Sequence, residues 1–105
     1  RDQDVIGGDA WRFFQRYRVD VGIVSVGGMD SQGLLYDYND DEVMAREALL
    51  AHAAYRILVL DKTKFDLPLR CAAGSLADYH AVITDSPLPD RLRSPLAAQG
   101  VRFLC

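Results

Sequence analysis

Three apolar runs in this sequence break off into residues able to hold a polar ligand. "VDVGIVSV" leads into Gly27, Gly28 and Asp30; "RILVL" leads into Asp61 and Lys64; "AVI" leads into Thr84 and Asp85. Glycines let backbone N–H groups come close to a ligand. Carboxylates accept hydrogen bonds from hydroxyl groups, and a lysine offers a compact positive charge to an anion. If the three runs are parallel strands of one sheet, their ends share the rim where open α/β sheets bind ligands. A small, hydroxylated, anionic molecule such as a sugar phosphate would suit that rim. Each residue also has a plain structural use. A Gly-Gly pair makes tight turns, Asp61 and Asp85 can cap helices or close Asx turns, and a lone lysine is usually solvated. The conjunction of three polar strand ends is what argues for a site.

The elements that must position these residues are written in periodicities. "GDAWRFFQRYR" places Ala10, Phe13, Phe14 and Tyr17 at i, i+3, i+4 and i+7, the stripe of a helix. "VDVGIVSV" follows as a strand, apolar nearly throughout, as expected when both faces are covered. "GGMDSQG" reads as loop and "LLYDY" as short and extended. "NDDEVMAREALLAHAA" is the clearest helix. Asn39 suits its N-cap, and Asp40, Asp41 and Glu42 crowd the first turn, where the helix dipole favours negative charge. Val43, Leu50 and Ala54 are expected on its buried face, flanked by Met44 and Ala51. Glu42 and Arg46 stand at i, i+4 and are expected to pair. "RILVLD", "LRCAAG" and "AVITD" read as strands and "SLADYH" as one or two helical turns. "LPDRLRSPLAAQ" reads as a helix weakened or kinked by Pro95, ended by Gly100 before a last strand, "VRFL". Helix and strand alternating in this way predict an α/β fold with a mostly parallel sheet flanked by helices.

Composition narrows the class. Half of the 105 residues are hydrophobic, enough for one packed core. Fifteen acidic and twelve basic residues leave a net charge of −3, and the basic residues form no stripe. Such a domain binds nucleic acid poorly by itself, because phosphate neutralisation dominates that affinity. Cys71 and Cys105 lie far apart and outside any Cys-x-x-Cys, so neither a disulfide framework nor a zinc site is expected. His52 and His80 have no cysteine or second histidine at ligand spacing, and no metal or cofactor is expected. No apolar run approaches the ~20 residues that span a bilayer. A cytoplasmic setting without a membrane partner fits best. The sequence begins at Arg1 and reads as a domain cut from a longer protein.

Taken in order, the motifs resemble the C-terminal effector-sensing domain of the DeoR family of bacterial transcriptional repressors. The family pattern has an aspartate-led strand, Gly-Ile-Asp, a glycine, and an acidic helix start with a basic residue one turn later. Asp-x-x-Lys-Phe and a strand closing on Thr-Asp follow. Here these are Asp20, Gly28-Met29-Asp30, Gly33, Glu42 with Arg46, Asp61 to Phe65, and Thr84-Asp85. The resemblance covers nearly the whole chain. Met29 departs from the usual Ile, and Glu47 stands where a second basic residue is common.

The resemblance implies the fold shared with ribose-5-phosphate isomerase and glucosamine-6-phosphate deaminase. It implies that Gly28, Asp30, Arg46, Asp61 and Lys64 serve effector binding, with Asp61 and Lys64 tied to the inducer response. Gly27 and Asp85 complete the candidate set from the strand-end reading. The implied effector is a phosphorylated sugar or polyol. The "GLLYDYNDDEV" segment and the ending "VRFLC" favour glycerol 3-phosphate. A phosphate-gripping loop and a winged helix-turn-helix are implied upstream of Arg1, so residues 1–105 would be a sensing domain incomplete at its N-terminus that reaches DNA only through the absent part.

Two other readings stay open. A sugar-phosphate isomerase or deaminase on the same fold would use Asp30 or Asp61 as base and Lys64 to stabilise an enediolate. The clustered acidic signature and histidine context of those enzymes are missing, so the chain is expected not to be an enzyme. An oligomerisation module would place Trp11 to Tyr17 at a protomer interface, where large aromatics are enriched. The core is an equally good home for those rings, and a homo-oligomer is expected.

Overall fold

The computed structural model describes residues 19–105, so the helix expected over residues 8–18 lies outside the described part. Along the chain the elements are β1 (Val19–Val24), β2 (Gly28–Met29), β3 (Leu34–Asp37), α1 (Asp40–Ala51) and β4 (Ala53–Leu60). They continue with β5 (Cys71–Ser75), β6 (Ala81–Thr84), α2 (Asp90–Ala98) and β7 (Arg102–Leu104), and single 3₁₀ turns lie at Lys62–Lys64 and Leu76–Asp78. β1, β4, β6 and β7 pair in that order, all parallel. β2, β3 and β5 form a small antiparallel sheet beside them. The architecture is α/β, a mostly parallel sheet flanked by helices.

The antiparallel sheet corrects two expectations. Where the sequence predicts only loop, Gly28 and Met29 pair with Tyr36 and Leu35. Two residues are too few for a period-of-two signal to show. "LRCAAG" is a strand as predicted, but it leaves the main sheet and runs antiparallel to β3. Strand direction is not encoded in an apolar run; it follows from which neighbour the chain meets.

The core forms where one face of the parallel sheet meets both helices and the small sheet. Leu58, Leu60 and Val82 are buried on that face together with Met29, Leu35 and Leu76. Leu50 of α1 and Leu92 and Leu96 of α2 pack against them. α1 starts as its sequence dictates. The Asn39 side chain accepts the Glu42 N–H at 2.9 Å, and three acids occupy the first turn. Its buried face agrees with the expected one at Leu50 and differs elsewhere. Ala48 is the fully buried residue, Met44 and Ala51 are exposed, and Ala54 belongs to β4. The chain turns from helix to strand within two residues, so periodicity carried past Ala51 reads strand residues as helix. Pro95 lies inside α2, which continues through it.

His80 ties β6 to β4. Its Nδ1 accepts the Arg56 N–H at 2.9 Å, and its ring stacks on Tyr55 with centroids 4.8 Å apart. No helix among the described residues is long and apolar enough to cross a membrane. On the opposite face of the parallel sheet, Val21 and Ile23 of β1 stand exposed among the described residues.

Core and cap should separate cleanly in urea denaturation. Leu58→Ala leaves a cavity under both helices and should cost about 2–5 kcal/mol, whereas Asn39→Ala removes one cap bond and should cost about 1 kcal/mol. Equal losses would contradict the burial described for Leu58.

Candidate functional site

Because β1, β4 and β6 are adjacent and parallel, their carboxyl ends lie side by side. An open cleft of about 360 Å³ lies there. Ser25 and Val26 line it after β1; Asp61 and Lys64 line it after β4; Thr84 and Asp85 line it at the end of β6. Four residues named from the sequence, Asp61, Lys64, Thr84 and Asp85, are thus brought together. Val59 and Ile83 give the cleft its apolar side.

The two aspartates hold the turn that carries the lysine. Asp61 is the N-cap of the 3₁₀ turn: its Oδ1 accepts the Thr63 N–H at 2.9 Å and the Thr63 hydroxyl. From β6, Asp85 Oδ1 accepts the Lys62 N–H at 2.7 Å. Lys62–Lys64 is therefore fastened at two points, and Lys64 makes no ion pair among the described residues. The Thr63 hydroxyl holds the Asp61 carboxyl below its ordinary range; modest burial opposes this, and the Thr63 N–H and the Lys64 charge add to it. Asp61 is ionised at neutral pH. Each carboxylate uses Oδ1 for the turn. Each therefore retains an oxygen able to accept from a hydroxylated ligand.

Asp30 is not among the cleft residues. Its Oδ1 accepts the N–H groups of Gln32 at 2.9 Å and Leu34 at 3.0 Å, and its Oδ2 accepts the Tyr36 hydroxyl at 2.9 Å. Burial pushes the Asp30 carboxyl up, but the bonds from Leu34, Gln32 and Tyr36 together bring it below its ordinary value. Asp30 builds the β2–β3 hairpin loop. Gly33 closes that loop at φ +85°, a conformation that L side chains rarely adopt.

The two glycines after β1 also face the protein. The Gly27 N–H is shared between Tyr36 O and Asp37 Oδ1, both at 2.9 Å. A Cβ on Gly28 would stand 2.1 Å from the Leu67 carbonyl oxygen. The close approach that demands glycine at position 28 is therefore made by the backbone at Leu67.

Arg46 does not pair with Glu42. It forms an ion pair with Asp37, and its Nε donates to the Ser25 carbonyl oxygen at 3.0 Å. The two side chains are only 10% and 3% exposed. A guanidinium satisfies a buried carboxylate better than it pairs across open helix surface, where an i, i+4 contact is worth little. Asp37 is the residue that sequence reasoning missed. Its signal was its position two residues after Leu35: on a strand, i and i+2 share a face, and Leu35 faces the core. A carboxylate on that face must have a partner. Through Ser25 O and Gly27 N–H, the Arg46–Asp37 pair grips both ends of the segment that walls the cleft after β1. Nothing among the described residues gathers three His, Cys, Asp or Glu side chains at metal-binding distance.

Removing one member of this pair leaves the other buried and uncompensated. Arg46→Met should cost about 3–5 kcal/mol in urea denaturation, and adding Asp37→Leu to it should recover part of the loss. A different signature belongs to Asp61. Its folded-state pKa lies below the ordinary 3.8, so its contribution is present above that value and is lost as pH falls through the lowered one. Asp61→Asn should therefore make the loss of stability below pH 3.8 shallower in acid melts.

Known proteins match this chain along the same stretch. The model of the DeoR C terminal sensor domain matches residues 1–86. The glycerol-3-phosphate regulon repressor of Escherichia coli is 34% identical over 106 residues, covering 100% of this chain and 42% of that protein. The HTH-type transcriptional repressor CsqR of the same organism is 33% identical over 100 residues, 95% of this chain and 38% of that protein. The L-fucose operon activator of E. coli is 34% identical over 67 residues, 64% of this chain and 28% of that protein. The chain thus spans well under half the length of these relatives, each named as a regulator. Its motif order, its sheet and these similarities agree: the chain belongs to the family of DeoR C-terminal sensor domains.

Proposed function

We propose that this domain senses a phosphorylated sugar or polyol for a transcriptional repressor and does not transform it. The observation that supports this reading is the cleft at the strand ends, where Lys64 rides on a turn fixed by Asp61 and Asp85. The lysine serves as a point charge for the phosphate. The second oxygens of Asp61 and Asp85 accept the effector's hydroxyls. One lysine is a thin anion site, and further phosphate donors come from a loop of the full-length protein that precedes Arg1. Gly27, Gly28, Asp30 and Arg46 act at one remove, holding the loops that frame the cleft.

Glycerol 3-phosphate is the best-supported effector. Two relatives, from E. coli and Haemophilus influenzae, are named glycerol-3-phosphate regulon repressors, the second 30% identical over 98% of this chain. A separate N-terminal winged helix-turn-helix reads DNA in a cytoplasmic homo-oligomer. The alternative, a sugar-phosphate isomerase or deaminase, needs a base whose pKa lies near the working pH. Asp61 is held on the wrong side of its ordinary value for that work.

Control of DNA binding requires the effector to prefer one of two states, since equal affinity for both shifts nothing. A 100-fold preference corresponds to about 2.7 kcal/mol. One or two charge-assisted hydrogen bonds, at about 1.5–3 kcal/mol each, can supply it. In the full-length protein, Lys64→Ala should leave operator binding unchanged. It should raise the glycerol 3-phosphate concentration needed for half-release by about 10–100-fold, the loss of one such bond. Operator-release titrations check this. An unaltered response would overturn the role of Lys64, and turnover of a sugar phosphate by the same preparation would favour the enzyme.

A further inference from the structure

Asp66 is the one non-glycine residue with positive φ among the described residues, at +53°. L side chains adopt this left-handed conformation at a cost, and aspartate tolerates it better than most. Backbone held in such a region persists only where its surroundings fix it, and such residues gather at ligand sites. Asp66 lies two residues beyond Lys64, the lysine of the cleft. Its own side chain is exposed, so packing of that side chain does not account for the conformation.

The neighbours leave the chain no other joint. Phe65 is extended, at φ −72° and ψ 143°, and its side chain packs against the core. Leu67 precedes Pro68, and contact with a proline ring holds the residue before it to extended conformations. Leu67 is also pinned to β2. Its N–H donates to the Met29 carbonyl oxygen at 2.7 Å, and its own carbonyl oxygen fills the space that a Cβ on Gly28 would need. The course of the chain between the core contact at Phe65 and the anchor at Leu67 is therefore set at Asp66. With an extended residue at that position, Phe65 and Leu67 could not both keep their anchors.

Lys64 is thus held from both sides. Asp61 and Asp85 fasten the front of its turn through the N–H groups of Thr63 and Lys62. Behind it, the bend at Asp66 ties the lysine to β2, whose Met29 is buried in the core. We propose that Asp66 is a positioning residue for the effector: its left-handed backbone fixes where Lys64 stands at the cleft, and residue types that resist this conformation weaken effector binding without touching the ligand. This rests on the reading of Lys64 as the contact for the effector's anionic group. Replacing the exposed side chain changes the backbone preference and removes no buried contact, so the positioning role is separable from packing.

Asp66→Ala, Asp66→Asn, Asp66→Gly and Lys64→Ala in the full-length protein test it. The first readout is amide hydrogen exchange. In Asp66→Ala the bonded amides of Lys64, Phe65 and Leu67 should exchange faster, while that of Leu58 in β4 keeps its rate. Asparagine and glycine accept the left-handed region and should restore the native rates. The second readout is release from the operator by glycerol 3-phosphate. Asp66→Ala should raise the concentration for half-release several-fold, at most about 30-fold, the whole left-handed cost of an alanine. Asp66→Asn and Asp66→Gly should stay near the wild-type value. Added to Lys64→Ala, Asp66→Ala should have no further effect, because it acts through the lysine. A purely structural Asp66 would lower the melting midpoint of the alanine variant and leave half-release unchanged, which overturns the proposal. So would unchanged exchange, an alanine effect that persists in full without Lys64, or one that glycine fails to rescue. If Lys64→Ala by itself leaves the response unaltered while exchange changes as expected, the functional reading falls, and the proposal falls with it.

Discussion

Everything at the site depends on three strands running the same way side by side. Parallel pairing of β1, β4 and β6 puts three carboxyl ends on one rim, although Ser25, Asp61 and Asp85 are far apart in the chain. An antiparallel partner at any of the three places would send one polar loop to the other end of the sheet. The parallel arrangement needs long crossovers, and these supply the helices and the small sheet that bury Leu58 and Val82. Core and rim are consequences of one topology. The same topology sets both helices on one face of the parallel sheet among the described residues.

The rim is then stiffened from behind. A carboxylate such as Asp37 costs several kcal/mol to bury unless it is paired. Arg46 supplies the pair and also takes the Ser25 carbonyl; Asp37 also takes the Gly27 N–H. One ion pair thus fixes the backbone on either side of Val26, whose side chain is in the core and also at the cleft. At the next strand end the same logic uses exposed groups. Asp61 and Asp85 hold the Lys62–Lys64 turn through two backbone N–H groups, so the lysine stands on an ordered base. Ordering in advance lowers the entropy lost on binding.

How much of this was legible beforehand depends on the range of each signal. The strands around Ile23, Leu58 and Val82 and the helix capped by Asn39 are local patterns, and their types can be read directly. So could the polar strand ends, because rim position follows from strand end. What escaped were the meanings set by distant partners. Gly28 looks like a ligand-facing glycine until Leu67, 39 positions further on, is found against it. Arg46 looks like a helix-surface residue until Asp37 is found buried beneath it. Asp30 carries a family motif, and its oxygens are taken by its own hairpin. Motif spacing reports that a residue matters; only packing reports whether it meets the ligand or the loop that meets the ligand.

How the cleft walls are fastened bears on how a sensor of this build could switch. The Lys64 turn and the Ser25–Gly27 segment are fastened by bonds within the described residues. A ligand shifts an equilibrium only through contacts that differ between the states. Two wall segments fastened in this way differ little between states, so contacts that differ are to be sought outside them.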